Sequence, residues 1–115
     1  MTMRTRGQSL RLVIVESPYR GEVTDNVIYA RKCIVDCLKR GEAPIASHLL
    51  FTQPSILDDS RPEERNLGIA AGLAWLRVAD AQVVYTDRGI SRGMELAIER
   101  ARELGVPVER RSLYS

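Results

Sequence analysis

Short apolar runs alternate along this chain with longer segments of helical periodicity, and this alternation limits the possible folds most. The run from Leu12 to Val15 is β-branched and bounded by polar residues, as is typical of a buried parallel strand. Similar runs cover Ala43 to Ala46 and Ala81 to Thr86, and Val106 begins a final one. Strands that alternate with helices in this way predict a parallel sheet with right-handed crossovers and helices on both faces.

Three helices are predicted between the strands. Thr24 or Asp25 is the expected N-cap of the first, since their side chains accept hydrogen bonds from free backbone N–H groups. Asp59 or Ser60 has the same role in the second helix, and Ser91 in the third. In chain order, the helices are expected to end at Arg40, near Val78 and at Leu104. The apolar positions expected to be buried are Val27, Ala30, Ile34, Cys37 and Leu38, then Leu67, Ala70, Leu73 and Leu76 or Trp75, then Met94, Ala97, Ile98 and Ala101.

The length of 115 residues fits a single domain. A hydrophobic share of 44% and a charged share of 28% are ordinary for a globular chain. No apolar run approaches the ~18 residues that a membrane span needs. We therefore expect a flexible basic N-terminal tail over residues 1–9, one domain over residues 10–115, no membrane partner and a cytoplasmic location.

The charges and the metal-binding residue types exclude several function classes. The 17 basic and 15 acidic residues leave a net charge of +2, spread along the chain, so nucleic acid is not an expected partner. Cys33 and Cys37 lie on one face of a predicted helix, and His48 is the single histidine, so no metal site is expected. Buried structural roles for both cysteines are favoured over a Cys–His nucleophile pair. The sequence has neither GxxxxGK[ST] nor GxGxxG, and no cofactor is predicted.

Three segments follow predicted strands, and ligands bind beyond the carboxyl ends of strands in open parallel sheets. They are Glu16 to Gly21, Ser47 to Pro54 and Asp87 to Gly93. In the first, Ser17, Tyr19 and Arg20 beside a helix start suit a phosphate or a sugar, although these residue types also suit a plain turn. His48 lies near the start of a long segment, Ser47 to Arg61, that is predicted to be irregular. This histidine has either a structural or a functional role.

Two acidic residues, Asp87 and Glu95, flank a glycine-containing turn before the last helix. Two carboxylates beside a sugar carbon are the chemistry of glycosidic-bond cleavage, where one acts at C1′ and the other handles the leaving-group proton. The competing interpretation places Glu95 on the solvated side of the helix, where an acidic residue suits the first turn. Asp80 precedes the third strand and is expected at the opposite end of the sheet from Asp87.

Five separated motifs occur in an order that resembles one family. They are SPYRG, NVIYAR, ASHLLFTQ, PEERNLGI and DRGISRGMELAIERARELGVPV. Over about Leu10 to Arg110, the chain resembles the small, mainly bacterial and phage domains of the nucleoside 2-deoxyribosyltransferase-like superfamily. The resemblance implies a small doubly wound α/β domain, a Rossmann-like or flavodoxin-like three-layer sandwich with a four- or five-stranded parallel sheet. It also implies a homo-oligomer in which a neighbour's loop closes the pocket.

The resemblance further implies an enzyme that cleaves or exchanges the base at C1′ of a nucleoside or nucleoside monophosphate. Glu95 would be the nucleophile, Asp87 or Asp80 the proton donor, and Tyr19 a positioning residue near the nucleophile. The implied substrate-binding residues are Ser17, Arg20, Gly21, Asn26, His48, Asp80, Arg88, Ser91, Gly93 and Met94.

The chain departs from the family pattern at the nucleophile. The pattern expects a glutamate four residues after the glycine at Gly93, and Ala97 occupies that position. Glu95 lies two residues earlier, a rotation of ~200° around the helix. The alternative function is therefore a non-catalytic module that binds a nucleotide or a nucleotide-like signal.

Overall fold

The computed structural model describes residues 10–114, and these form one sheet with helices on both faces. The elements are β1 (Arg11–Glu16), α1 (Val23–Lys39), β2 (Glu42–Ile45), α2 (Ser47–Leu50), α3 (Pro62–Val78), β3 (Ala81–Tyr85), α4 (Arg92–Glu103) and β4 (Val108–Arg111). The expected tail over residues 1–9, together with Ser115, lies outside the described residues. Within residues 10–114, none of the helices combines the length and the apolar character that crossing a membrane requires.

The four strands are parallel and lie in the order β2-β1-β3-β4. Val13 of β1 pairs with Ala81 of β3, and Gln82 of β3 pairs with Val108 of β4. The chain leaves β1 on one side to form β2 and later returns to the other side to form β3. The strand order therefore reverses between β1 and β3, and the predicted doubly wound α/β fold is confirmed with four strands.

Successive strand residues point to opposite faces of the sheet, so each face has its own core. On one face, Val13 and Val15 pack against Tyr29 and both cysteines of α1, and the cysteines are buried and free, as predicted. On the other face, Ile14 and Val84 lie beneath α3 and α4. The buried residues of those two helices are Leu76, Met94, Ile98 and Ala101.

Two of the three predicted N-caps are wrong. Helix α1 begins after Glu22, and α3 begins after Arg61, with no side-chain cap hydrogen bond at either residue. The Asp59 carboxylate contacts arginines instead, and the Ser60 hydroxyl bonds to Asp58, so neither is free to cap α3. The third N-cap is confirmed, because Ser91 Oγ accepts a hydrogen bond from the Met94 backbone at 3.2 Å.

The segment after β2 and the burial of the helices also differ from the expectation. Residues Ser47–Leu50 form a short helix inside the segment predicted to be irregular. Leu38 is exposed on α1, and Leu67, Ala70 and Trp75 are exposed on α3. The periodicity of α3 predicts one buried face, whereas the helix carries apolar residues on two opposite sides, and only Leu76 is fully buried.

Candidate functional site

A cavity of about 440 Å³ opens beyond the carboxyl end of β1, at the point where the strand order reverses. The end of β1 forms its floor, α2 and α3 form one wall, and the first turns of α4 form another. Its apolar lining includes Phe51, Leu57, Ile69, Leu73 and Leu76. Small-molecule sites typically have volumes of ~300–1,000 Å³ and lie at this place in doubly wound sheets.

The floor of the cavity carries a carboxyl group that the sequence reading did not single out. Glu16 is the last residue of β1 and shares the α3/α4 face with Ile14 two residues earlier. Among residues 10–114 its carboxyl group takes part in none of the side-chain hydrogen bonds or ion pairs. Burial raises its pKa to about 8, so Glu16 holds a proton at neutral pH.

The neighbouring residues Ser17 and His48 are joined by a hydrogen bond. The distance from Ser17 Oγ to His48 Nε2 is 2.7 Å, and both residues line the cavity. Burial lowers the pKa of His48 to about 4, so the ring is neutral at pH 7. Its Nδ1 atom is buried and has no hydrogen-bond partner among the described residues.

The loop after β1 is held by a side chain of α1. The buried Asn26 donates from Nδ2 to the carbonyl oxygens of Tyr19 and Arg20, at 3.0 Å each. Gly21 turns the chain into α1 with φ of 95°, a conformation that favours glycine. Tyr19 and Arg20 line the cavity, and the Arg20 guanidinium lies 3.3 Å from the Asp59 carboxylate. Asn26 and Gly21 therefore shape the loop and do not line the cavity themselves.

The first turns of α4 contribute Ser91, Gly93, Met94 and Ala97 to the cavity. Glu95 points away from this wall: its side chain is 55% exposed and lies 3.8 Å from Arg92. The fully buried Gln82 of β3 donates from Nε2 to the Ala97 carbonyl at 3.0 Å, which fixes the rotation of α4. The cavity wall thus has a methyl group at the position where the resemblance implies a glutamate.

Asp87 lies on the other face of the sheet and has structural partners there. Its carboxylate accepts hydrogen bonds from the Tyr29 hydroxyl at 2.6 Å, from the Ser112 hydroxyl and from the Leu113 backbone. These hydrogen bonds outweigh the desolvation of the carboxylate and lower its pKa to about 2, so it is ionised at neutral pH. Arg88 is on this face too, with its guanidinium 5.8 Å from the centre of the Tyr29 ring.

Asp80 lies at the amino end of the sheet, as expected, where its carboxylate accepts a hydrogen bond from the Leu12 backbone at 2.7 Å. Some of the predicted site residues line the cavity, and the others lie outside it. Those that line it are Ser17, Tyr19, Arg20, His48, Ser91, Gly93 and Met94. Those that do not are Gly21, Asn26, Asp80, Asp87, Arg88 and Glu95.

Sequence reasoning missed Glu16, although a signal for it existed. An acidic residue that ends an otherwise apolar strand alternates onto a buried face, and at a carboxyl strand end it points towards the ligand position. The charged residues of the lining were missed for a different reason, because Arg65 and Arg100 come from helix faces that look solvated in the sequence. Within the described part of the chain, no group of three His, Cys, Asp or Glu side chains gathers to hold a metal ion.

The fold and the site define a small doubly wound α/β domain with a ligand-sized cavity at its switch point. Residues 11–111 match the family model described as domain of unknown function DUF7768, and the chain belongs to that family. No curated protein matches the chain.

The fold is also similar to that of the 2-deoxyribosyltransferase from the psychrotolerant bacterium Bacillus psychrosaccharolyticus. The two chains share 19% sequence identity with a TM-score of 0.63, over 88% of this chain and 72% of the other. At this identity the similarity establishes a related fold.

Proposed function

We propose that this protein binds a nucleoside or a nucleoside 5′-monophosphate in the cavity beside β1. The observation that carries the proposal is the composition of the cavity, which combines apolar side chains with four arginines at a switch point. Those arginines are Arg20, Arg65, Arg92 and Arg100. The motif resemblance and the similarity in fold to a 2-deoxyribosyltransferase, an enzyme described as a biocatalyst for nucleoside synthesis, support the same ligand class.

The two ends of such a ligand fit different parts of the lining. A nucleobase suits the apolar wall around Phe51, Leu73 and Leu76. A phosphate suits Arg100 of α4, which lines the cavity and takes part in none of the ion pairs among residues 10–114. Its guanidinium offers charged hydrogen-bond donors to phosphate oxygens.

A matched pair of arginines on α4 tests the binding proposal. Both arginines are exposed, and Arg100 lines the cavity whereas Arg102 does not. We expect Arg100→Ala to weaken the binding of nucleoside 5′-monophosphates about 10-fold, the lower range for a hydrogen bond to a charged group, and to leave unphosphorylated nucleosides unaffected. Arg102→Ala leaves both affinities unchanged.

The measurement is thermal unfolding with a panel of ribo- and deoxyribonucleosides and their 5′-monophosphates. A ligand at ~100 times its dissociation constant adds about 2.7 kcal/mol to the free energy of unfolding. The proposal would be refuted if no nucleoside or nucleotide of the panel raised the unfolding temperature. Equal losses in both variants would place the phosphate somewhere other than beside Arg100.

Cleavage or exchange of the base at C1′ is the reaction that the resemblance implies for this ligand class. As nucleophile, Glu95 requires a rotation of α4 that breaks the hydrogen bond from Gln82 to Ala97. Chromatography that measures the free base released by the wild type and by Glu95→Gln tests that role. Full release by Glu95→Gln would remove Glu95 from the reaction.

The second candidate function is binding without catalysis. It is favoured by Ala97, whose methyl group lines the cavity where a nucleophilic glutamate is implied. This candidate predicts that nucleosides raise the unfolding temperature and that no base is released, with or without an acceptor base. Turnover of any nucleoside by the wild type would eliminate it.

A further inference from the structure

We propose that Glu16 is the catalytic acid of this cavity and that it donates its proton to the departing nucleobase while water replaces the base at C1′. The inference rests on the proposed nucleoside site and deepens it: for cleavage of the N-glycosidic bond there, it names the residue that acts as the acid and water as the acceptor. It assigns the chemistry to the end of β1 and none of it to Glu95.

The placement of Glu16 carries the inference. A residue at the carboxyl end of β1 sits at the switch point, where the bound ligand meets the sheet. Glu16 and Ala97 line the same cavity from β1 and α4. The cavity therefore retains a carboxyl group near the ligand position even though α4 provides none.

The other charged side chains of the cavity have partners of their own. Arg20 and Arg65 both contact Asp59, which is also in the lining. Glu64 pairs with Arg61, and Arg92 lies near Glu95. Arg100 is the remaining charged group of the lining, and the ring of His48 is neutral at pH 7. None of the ion pairs in the described chain reaches Glu16, so its carboxyl group is available to a ligand.

The protonation of Glu16 decides between two roles for a carboxyl group at C1′. A nucleophile must be ionised, whereas a general acid must hold a proton. Burial favours the neutral form of Glu16 and raises its pKa to about 8, so the acid is loaded at neutral pH. A proton donor with a pKa near the working pH is also the most effective one.

The step balances with water as the second reactant. The C1′–N bond breaks, and its electron pair stays on the base nitrogen. The Glu16 proton passes to the base. The oxygen of a water molecule bonds to C1′ and loses a proton to the Glu16 carboxylate. The products are the free base and a sugar with a hydroxyl group at C1′, and Glu16 is protonated again.

The test is base release, measured by chromatography after incubation with the panel of nucleosides and 5′-monophosphates. We expect Glu16→Gln to lower the rate at least 100-fold, the usual lower range for loss of a general acid, while the thermal shift caused by ligand is retained. Glu99→Gln, an exposed glutamate of α4 outside the cavity, is the matched control and keeps the wild-type rate. The wild-type rate falls above pH 8, where Glu16 loses its proton.

A shorter carboxyl group keeps the test valid if the amide variant folds poorly. Glu16→Asp is expected to retain part of the rate and the fall at high pH. A wild-type rate in Glu16→Gln refutes the inference. A wild type that binds nucleosides but releases no base refutes it too and leaves the binding proposal intact. Absence of any ligand-dependent thermal shift refutes the binding proposal and the inference with it.

Discussion

Helices α1 and α3 lie on opposite faces of the sheet and have equal length but very unequal burial. Helices α1 and α3 have 17 residues each. Helix α1 buries five of its residues, whereas α3 buries only Leu76. The cavity lies between α3 and the end of β1. The α1 face of the sheet is therefore closed by packing. The other face is packed beneath α4 and is open to a ligand beside α3.

The polar groups of the two faces differ in the same way. On the α1 face, Arg111 and Glu42 form an ion pair at 2.6 Å with both side chains 7% exposed. Asp36 accepts a 2.6 Å hydrogen bond from the Tyr85 hydroxyl there. On the cavity face, His48 Nδ1 is buried without a hydrogen-bond partner within the described chain. Glu16 is half-buried, and its carboxyl group takes part in none of the side-chain hydrogen bonds or ion pairs among residues 10–114.

This difference separates residues that stabilise the fold from residues suited to act on a ligand. An unpaired buried polar group lowers the free energy of unfolding by about 1–3 kcal/mol. Such a group therefore points to a role other than stabilising the fold. Paired acids such as Asp87 are ionised and fixed in place. Glu16, which is unpaired, keeps its proton available for transfer.

The largest expected effect concerns the outer side of α3. Its residues Leu67, Trp75 and Val78 share one side by their spacing and are 62%, 48% and 62% exposed. A helix that is apolar on two opposite sides is normally buried on both, and we expect a second copy of this chain to cover the outer side. Leu67→Glu should weaken self-association on the order of 100- to 1,000-fold, because a two-fold interface carries the change twice.

Analytical ultracentrifugation measures this effect, and α1 offers the control. Leu38 on α1 is 54% exposed, so Leu38→Glu makes a comparable change on the closed face. It should leave the dissociation constant unaltered. A wild type that sediments as a monomer at all concentrations would disprove association through α3.

The next effect concerns the closed face. Asp87→Asn removes the negative charge of the carboxylate that accepts hydrogen bonds from Tyr29, Ser112 and Leu113. The free energy of unfolding should fall by about 3 kcal/mol, measured by urea denaturation, while nucleoside affinity is unchanged. Asp25→Asn, an exposed aspartate of α1, should cost at most about 1 kcal/mol. A variant with intact stability but without base release would instead support the proton-donor role that the resemblance implies for Asp87.

Asp87 illustrates what the sequence can and cannot predict. The alternation of apolar runs with periodic segments was sufficient for the four strands, the three long helices and the parallel sheet. It also placed the ligand region, because strand order decides where the loops after strands meet. Which face of the sheet a loop residue turns to depends on tertiary contacts, and Asp87 turns to the partners that Tyr29 and the segment after β4 provide.

Burial was the property that periodicity predicted least well. Leu67 and Leu76 both belong to apolar patterns of α3, yet only Leu76 meets the sheet. A pattern identifies an apolar side of a helix but does not specify what covers it. Glu16 was missed because an isolated acid at a strand end resembles the polar boundary of the strand.

A smaller effect isolates Glu16 on the open face through pH. Its pKa is about 8 in the folded chain and about 4.5 ordinarily, so folding takes up a proton between these values and stability falls as pH rises. His48, with a folded pKa of about 4 against 6.5, has the opposite effect below pH 6.5. Above pH 6.5 the contribution of His48 fades, and Glu16 should lower the free energy of unfolding by up to about 2 kcal/mol between pH 6.5 and 8.

Urea denaturation of the wild type and Glu16→Gln at pH 6.5 and pH 8 measures this contribution. The variant carries a neutral amide at every pH and should lose the part of the decrease that Glu16 causes. Because every other titrating group is common to both proteins, the difference between their two decreases reports on Glu16 alone. Parallel pH dependence in the two proteins would mean that Glu16 is ionised in the folded state at pH 7.

The smallest effect tests whether α2 and α3 are held in fixed positions beside the cavity. A Cβ added at Gly93 in α4 would have Ser91 Oγ as its nearest neighbour at 3.9 Å, whereas one at Gly72 in α3 would lie 2.8 Å from Ser47 Oγ. Gly93→Ala should therefore raise the free energy of unfolding by about 0.5–1 kcal/mol through helix propensity, and Gly72→Ala should gain nothing. Ser47→Ala removes the 2.8 Å contact but keeps the Ser47 Cβ at 3.3 Å, so it should restore part of the gain in the Gly72→Ala background, as a double-mutant cycle in urea would measure. Equal gains at both glycines would mean that α2 moves freely against α3. A gain at Gly93 without one at Gly72 would mean that α2 and α3 form a fixed wall of the cavity, although only Leu76 of α3 is fully buried.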